Sequence, residues 1–258
     1  MKNQFLFLGT GASAGIPVIG CQCAVCQSPD VHNKRLRPSG LVTTQGKTLL
    51  IDTSPDLRCQ ALRHQLRHLD GVLLTHTHYD HIAGIDELRT FYLIERKPLP
   101  VLVSNATYQE LKKRYDYLFR ERSLSKSLTA QLSFQQLEGR RGQTQFLGIS
   151  IGYTSYEQGG MEVNGFRFGD FAYIADIRQY DETIFEDLKG IKYLVISCLK
   201  RESSYMHFSI EECIEFARKL KVEQTWFTHI SHEMEHESIN RTLPSGFQLS
   251  YDGLIIEF

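Results

Sequence analysis

At 258 residues, with 41% hydrophobic and 23% charged side chains, the chain has enough apolar material for a substantial core and the balance of an ordinary soluble protein. A formal net charge of −1 excludes gripping nucleic acid or an anionic membrane through bulk charge. No apolar stretch approaches the roughly 20 residues needed to cross a bilayer, so the expectation is one soluble domain over residues 1–258.

In chain order, Gln4–Leu8 is flanked by Lys2 and Ala12-Ser13-Ala14, an imitation of a secretory signal. Its apolar block stops at Gly9, too short for such a signal, so it reads as a buried first strand and the protein as cytoplasmic. Cys21-x-Cys23-x-x-Cys26 follows. In a reducing compartment three thiols this close point to a metal, zinc first, rather than a disulfide. They do not by themselves identify a fourth ligand. Cys59, Cys198 and Cys213 stand alone in apolar surroundings and read as core.

Short apolar runs at Thr48–Ile51, Gly71–Thr75, Val101–Val103, Phe171–Ala175, Tyr193–Ser197, Thr225–Thr228 and Leu254–Phe258 predict strands by length, β-branched content and flanking turns. Between them, Ser54-Pro55 opens a helix through Leu57, Ala61, Leu62, Leu66 and Leu69. Asn105–Phe119 is a further helix, and Ser209 with Glu212 makes a capping box before Cys213, Phe216 and Leu220. Residues 120–146 read as loops or a small insertion, with Arg120/Arg122 and Arg140/Arg141 as solvated charge. His64 and His68 read as one solvated helix face, and His32 and His236 as loop residues. Strands interleaved with helices predict an α/β layered domain.

Asp52, His76, Asp176, Ser197 and His229 each fall at or just past the end of an apolar run, where a rigid strand positions a group and a loop exposes it. His76-x-His78-x-Asp80-His81 crowds four metal-capable side chains into six positions. Imidazole with carboxylate suits Zn, Mn or Fe. His76 and His78 can face one ion, and Asp80 with His81 a second, a two-metal hydrolytic arrangement.

This box, HTHYDH, resembles the H-x-H-x-D-H signature of the metallo-β-lactamase superfamily. The resemblance implies an αββα sandwich of two facing mixed sheets flanked by helices, with a dinuclear site at one sheet edge. Asp52 in TLLID matches the aspartate that steadies the ligands from behind, Asp176 in FAYIAD the bridging carboxylate, and His229 in WFTHISH the last histidine ligand. Over nearly the whole chain, FLGTGASAGIPVIGCQCAVC, HTHYDH, FAYIAD, THISH and LPSGFQLSYDGLIIEF look like the PhnP-type cyclic phosphodiesterases, with PqqB-like proteins sharing much of the frame. That likeness implies two active-site divalent cations, Zn or Mn, and a structural Zn on Cys21, Cys23, Cys26 and His232. It implies hydrolysis of a small cyclic or linear phosphodiester by a metal-activated hydroxide, with Asp80 orienting the nucleophile. His207 in SSYMHFS matches the histidine that assists the leaving alkoxide; capping the helix near Ser209 is its alternative role. Relatives of this type are often dimers, so a homodimer is an expectation too.

One departure stands out. Where the family carries a third histidine for the first metal, this chain has Tyr156-Glu157-Gln158-Gly159. Without a gap Gln158 takes that place, and the neighbouring Glu157 is the better donor chemically. The alternatives are a PqqB-like enzyme, a tRNA-processing nuclease, whose basic RNA-gripping arm this near-neutral chain does not predict, or a non-catalytic metal-binding member that has lost one histidine.

Overall fold

The computed structural model describes residues 3–119 and 129–258, so Lys2 and the Arg120/Arg122 pair lie outside the described residues. The strands are β1 (Gln4–Gly9), β2 (Ser39–Thr44), β3 (Lys47–Ile51), β4 (Gly71–Leu73), β5 (Leu99–Val103), β6 (Leu132–Gln136) and β7 (Arg141–Phe146). They continue with β8 (Ile149–Gln158), β9 (Met161–Phe168), β10 (Phe171–Ile174), β11 (Tyr193–Ser197), β12 (Gln224–Thr228), β13 (Phe247–Leu249) and β14 (Ile255–Glu257). The helices are α1 (Ala24–Gln27), α2 (Leu57–Arg63), α3 (Tyr79–Ile82), α4 (Arg89–Glu95), α5 (Asn105–Arg114), α6 (Ile184–Asp187), α7 (Ile210–Leu220) and α8 (His236–Asn240).

Two seven-stranded mixed sheets result, ordered β14-β1-β2-β3-β4-β5-β6 and β13-β12-β11-β10-β9-β8-β7. Each has an antiparallel part and a parallel part: β3 to β6 run parallel in the first, β10 to β13 in the second. A parallel step needs a crossover, and α2 to α5 serve one sheet while α6 to α8 serve the other. The expected sandwich of two mixed sheets with flanking helices is the architecture observed.

Strand alternation explains the layers. Phe5, Phe7, Leu49, Ile51 and Leu102 point between the sheets, whereas Leu8, Leu50, Val101 and Val103 join Leu57, Phe91 and Leu111 beneath the helices. Buried on both faces, these strands are continuous apolar runs. The Phe5 ring lies tilted 5.1 Å from Phe171 and 5.6 Å from Tyr173, tying sheet to sheet. It fits because Gly40 opposite has no side chain: a Cβ there would lie 2.2 Å from the ring. The capping box at Ser209 and Glu212 forms as predicted.

Several expectations are corrected. Within 120–146, β6 and β7 are strands; polar side chains and half-exposed faces disguise them. The helix expected after Ser54 ends at Arg63, so His68 is not on it and pairs instead with Glu95 and Asp70. Cys59 sits on the outer face of α2 and is exposed, while Cys198 and Cys213 are core. His236 is buried at the first turn of α8 rather than free in a loop.

Candidate metal centre

The parallel strands of both sheets end at one edge, and the chemistry-bearing residues are there. Asp52 follows β3, the His76–His81 segment follows β4, Asp176 lies two residues past β10, and His229 follows β12 directly. Asp52, Asp176 and His229 have φ of +62°, +35° and +59°. That left-handed turn costs a non-glycine residue about 1–3 kcal/mol and is found where function fixes a side chain's direction.

Asp52 is fully buried and accepts from the Thr75 N–H at 2.8 Å, the Thr75 hydroxyl at 2.8 Å and His81 Nδ1 at 2.6 Å. Since the Thr75 hydroxyl donates to Asp52, its 2.9 Å contact with His76 Nδ1 is donated by the ring. Both imidazoles thus engage Nδ1 as a donor and turn Nε2 inward, the orientation that a metal ligand requires. Thr75 was not foreseen, although a lone hydroxyl closing GVLLT was a visible signal. Asn164 on β9 anchors it by donating to the Thr75 carbonyl from its backbone at 2.9 Å and its side chain at 3.2 Å.

His76 Nε2 lies 3.0 Å from His78 Nδ1 and 3.5 Å from Asp176 Oδ2. His229 Nε2 lies 3.2 Å from Asp80 Oδ2 and 3.4 Å from Asp176 Oδ1, and His81 Nε2 lies 3.6 Å from Asp80 and 3.4 Å from Asp176. All six ligands expected from the sequence therefore converge. They form two donor sets, His76/His78/Asp176 and Asp80/His81/His229, with Asp176 in contact with both. Burial pushes His76 down to about 4. Burial also works to raise the Asp80 carboxyl, but the His81 and His229 rings hold it far below the usual range. His81 Nε2 and Asp176 Oδ1 are buried with no hydrogen-bond partner. Imidazole and carboxylate donors about 3.0–3.6 Å apart match ligand spacings around shared cations and fit divalent metal.

Gln158 and His207 complete the wall. Gln158 ends β8, is 1% exposed, and places Nε2 3.3 Å from Asp176 Oδ2 and 3.0–3.2 Å from the His207 ring nitrogens; its Oε1 has no partner. Strand alternation sends Glu157 to the opposite face, 3.3 Å from Arg140, so the better donor is turned away from the centre. His207 stacks on His229 at 4.6 Å, held by Ser204, whose hydroxyl accepts from its N–H and donates to its carbonyl, both at 2.9 Å. Ser209 caps α7, so His207 is not the cap.

A second cluster brings together the other four expected residues. Cys21, Cys23 and Cys26 Sγ lie 3.3, 3.4 and 3.7 Å from His232 Nδ1. A zinc tetrahedron with ordinary bond lengths has sulfur–nitrogen edges of about 3.6 Å, so the four fit one ion. The Cys26 N–H, and then His232, bring the Cys23 thiol down to about 6, near the thiolate form that metal needs.

A model of the beta-lactamase superfamily domain matches residues 47–230. Among solved structures, a diphosphatase of the PhnP family is 36% identical and superposes with a TM-score of 0.91 over 100% of this chain and 98% of its own. Zinc-bound PqqB from Methylobacterium extorquens is 19% identical, with a TM-score of 0.77 over 99% of this chain and 100% of its own, a likeness of fold. An octanoyltransferase from Porphyromonas gingivalis is 32% identical over 252 residues, 96% of this chain and 50% of that protein, so the chain spans half the length of this relative. The chain belongs to the beta-lactamase superfamily, has its metallo-β-lactamase sandwich, and falls within the PhnP family.

Proposed function

We propose that the chain hydrolyses a small cyclic or linear phosphodiester at this edge, using two divalent cations, Zn or Mn. The observation that carries the reading is the Asp176 carboxylate, buried between two sets of imidazole and carboxylate donors, with its Oδ1 and the inward His81 Nε2 lacking hydrogen-bond partners. The 36%-identical diphosphatase of the PhnP family supports a phosphoryl substrate, although a diphosphatase cleaves a phosphoanhydride rather than an ester. His76, His78 and Asp176 would hold one cation, and Asp80, His81 and His229 the other. Bound cations supply polarisation of a phosphoryl oxygen and of the attacking water.

The protein's residues do the rest. Thr75 and Asp52 fix the His76 and His81 tautomers, so no ring has to flip when substrate arrives. Asp80 engages His229 through Oδ2, leaving Oδ1 to accept a hydrogen bond from the water and aim it at phosphorus. His207, kept neutral because burial pushes it to about 4, steadies the departing oxygen by a hydrogen bond from its ring N–H and keeps its own proton, while Asp80 carries the proton released by the water. Water oxygen bonds to phosphorus, the ester P–O bond breaks, and the proton from water ends on the alcohol. The structural zinc would sit on Cys21, Cys23, Cys26 and His232, outside the reaction.

The test is turnover of a panel of cyclic and linear phosphodiesters with added Mn or Zn. His81→Ala and Asp176→Ala should each lower it by about 10³-fold or more with the fold retained. Full activity in either variant, or a wild type inert across the panel, overturns the reading.

A further inference from the structure

Glu212, in the first turn of α7, uses its two carboxylate oxygens for different tasks. Oε2 accepts from the Ser209 N–H at 2.8 Å and so closes the capping box. A capping box asks nothing more of its glutamate side chain. Oε1 has other partners: it accepts from Arg178 Nη1 at 2.6 Å and from the Ser203 hydroxyl at 3.2 Å. Ser203 lies four residues before His207, Ser209 two residues after it, and Arg178 two residues past Asp176. One carboxylate therefore ties both sides of the His207 segment to the turn that carries the Asp176 carboxylate.

Arg178 is itself anchored. Its backbone N–H and that of Gln179 donate to the Glu157 carbonyl at 3.2 and 2.9 Å, and the Gln179 carbonyl accepts from the Glu157 N–H at 2.8 Å. The turn after Asp176 is thereby stitched to the end of β8, beside Gln158. The Arg178 guanidinium also lies over the ring of Phe208, the residue next to His207, 6.0 Å from its centroid. The Arg178 and Glu212 side chains are 25% and 31% exposed, so salt screens the pair less than one on open surface.

We infer that Glu212 is a positioning residue for His207, setting the direction in which the ring offers its N–H to the departing oxygen. Stacking on His229 and contact with Gln158 locate the ring, but a stacked ring can still slide and turn in its plane. Its direction then depends on the backbone at either side, and Glu212 holds both sides. The kinetic consequence rests on the phosphodiesterase reading; the position of the ring does not.

Glu212→Gln separates the two tasks. Its carboxamide oxygen still accepts from Ser209 and keeps the cap, whereas the amide nitrogen in place of the other oxygen cannot accept from Arg178 or Ser203. A departing alkoxide needs the His207 hydrogen bond, and p-nitrophenolate, a stable anion, does not. The kcat for an alkyl phosphodiester should therefore fall about 30-fold, and that for a bis(p-nitrophenyl) ester less than about 3-fold, with KM held in both. In a His207→Ala background the same substitution should cost the alkyl ester less than about 2-fold, because the ring it acts through is gone. Histidine side-chain ¹⁵N spectra of the zinc-loaded full chain read position without turnover. The resonances that His207→Ala removes should shift in Glu212→Gln, while those of His76 and His81 stay. Equal losses on the two esters, an undiminished loss in the His207→Ala background, or unmoved His207 resonances overturn the inference. If the wild type turns over neither ester, the phosphodiesterase reading fails and the spectra decide alone: shifted His207 resonances uphold the positioning role, and unmoved ones overturn it.

Discussion

Gln158 is where this chain's chemistry is most its own. Its carboxamide faces Asp176 and His207 through nitrogen, with the oxygen buried and unpaired. Rotating the amide half a turn exchanges the two atoms with little steric change and would put the oxygen where the nitrogen now lies, 3.3 Å from Asp176 Oδ2, a member of the His76/His78 donor set. An amide oxygen is a weaker ligand than imidazole for late first-row metals and better matched to Mn. The expected outcome is that the His76/His78 position holds its cation more weakly than the Asp80/His81/His229 position, and that Mn supports turnover better than Zn. Gln158→His should raise both the metal retained after desalting and the turnover. Metal content and activity of the two proteins, measured in parallel, decide it: if the wild type retains both ions and the substitution moves neither quantity, Gln158 is not a donor. The convergence of His76, His78, Asp80, His81, Asp176 and His229 was legible in the sequence because charged and imidazole groups directly after apolar runs have no packing explanation. The choice between Gln158 and Glu157 was not, because it depends on which way one strand residue faces.

At the scale of elements, the site rests on two loops pinned by different means. His229 leaves β12 in register with β11, and its neighbour Ile230 donates to the Thr10 carbonyl at 2.9 Å and accepts from the Ala12 N–H at 3.0 Å. His232, three residues on, is drawn to the cysteine cluster instead. Cys23→Ser should therefore remove metal-linked folding energy while leaving His229 held by its backbone. A loss on the order of 3 kcal/mol corresponds to about 6–12 °C in Tm for a chain of this size. Calorimetry with turnover per folded molecule checks this; an unchanged Tm, or activity lost in protein that melts normally, contradicts it. Legibility divided along similar lines. β10 and β11 were plain because burial on both faces makes them continuous apolar runs. β7, RGQTQF at the edge of the second sheet, lacked that signal, and its identity comes from pairing with β8.

At the scale of the whole molecule, closure of the chain depends on contacts with no local signature. The run ending at Phe258 was readable as a strand, but its pairing with β1, some 250 residues earlier, was not. The same closure buries Arg35, 2% exposed, whose Nη1 donates to Thr10 Oγ1 at 2.8 Å and to the Ser250 carbonyl at 2.6 Å. Its Nη2 donates to His236 Nδ1 at 3.0 Å, so that nitrogen must be bare. Burial first, and then the Arg35 charge, push His236 down to about 4 from an ordinary 6.5. The unfolded chain thus takes up this proton at higher pH than the folded one. Stability from this group is complete above pH 6.5 and falls as pH drops from 6.5 toward 4, by at most about 1.4 kcal/mol per pH unit. His236→Gln keeps an acceptor for Arg35 but cannot titrate. Its urea midpoint should therefore decline less steeply than the wild type's between pH 6.5 and 4, while other titrating histidines cancel in the difference. Equal slopes would mean that His236 is protonated in the folded chain, which is incompatible with a guanidinium donating to it.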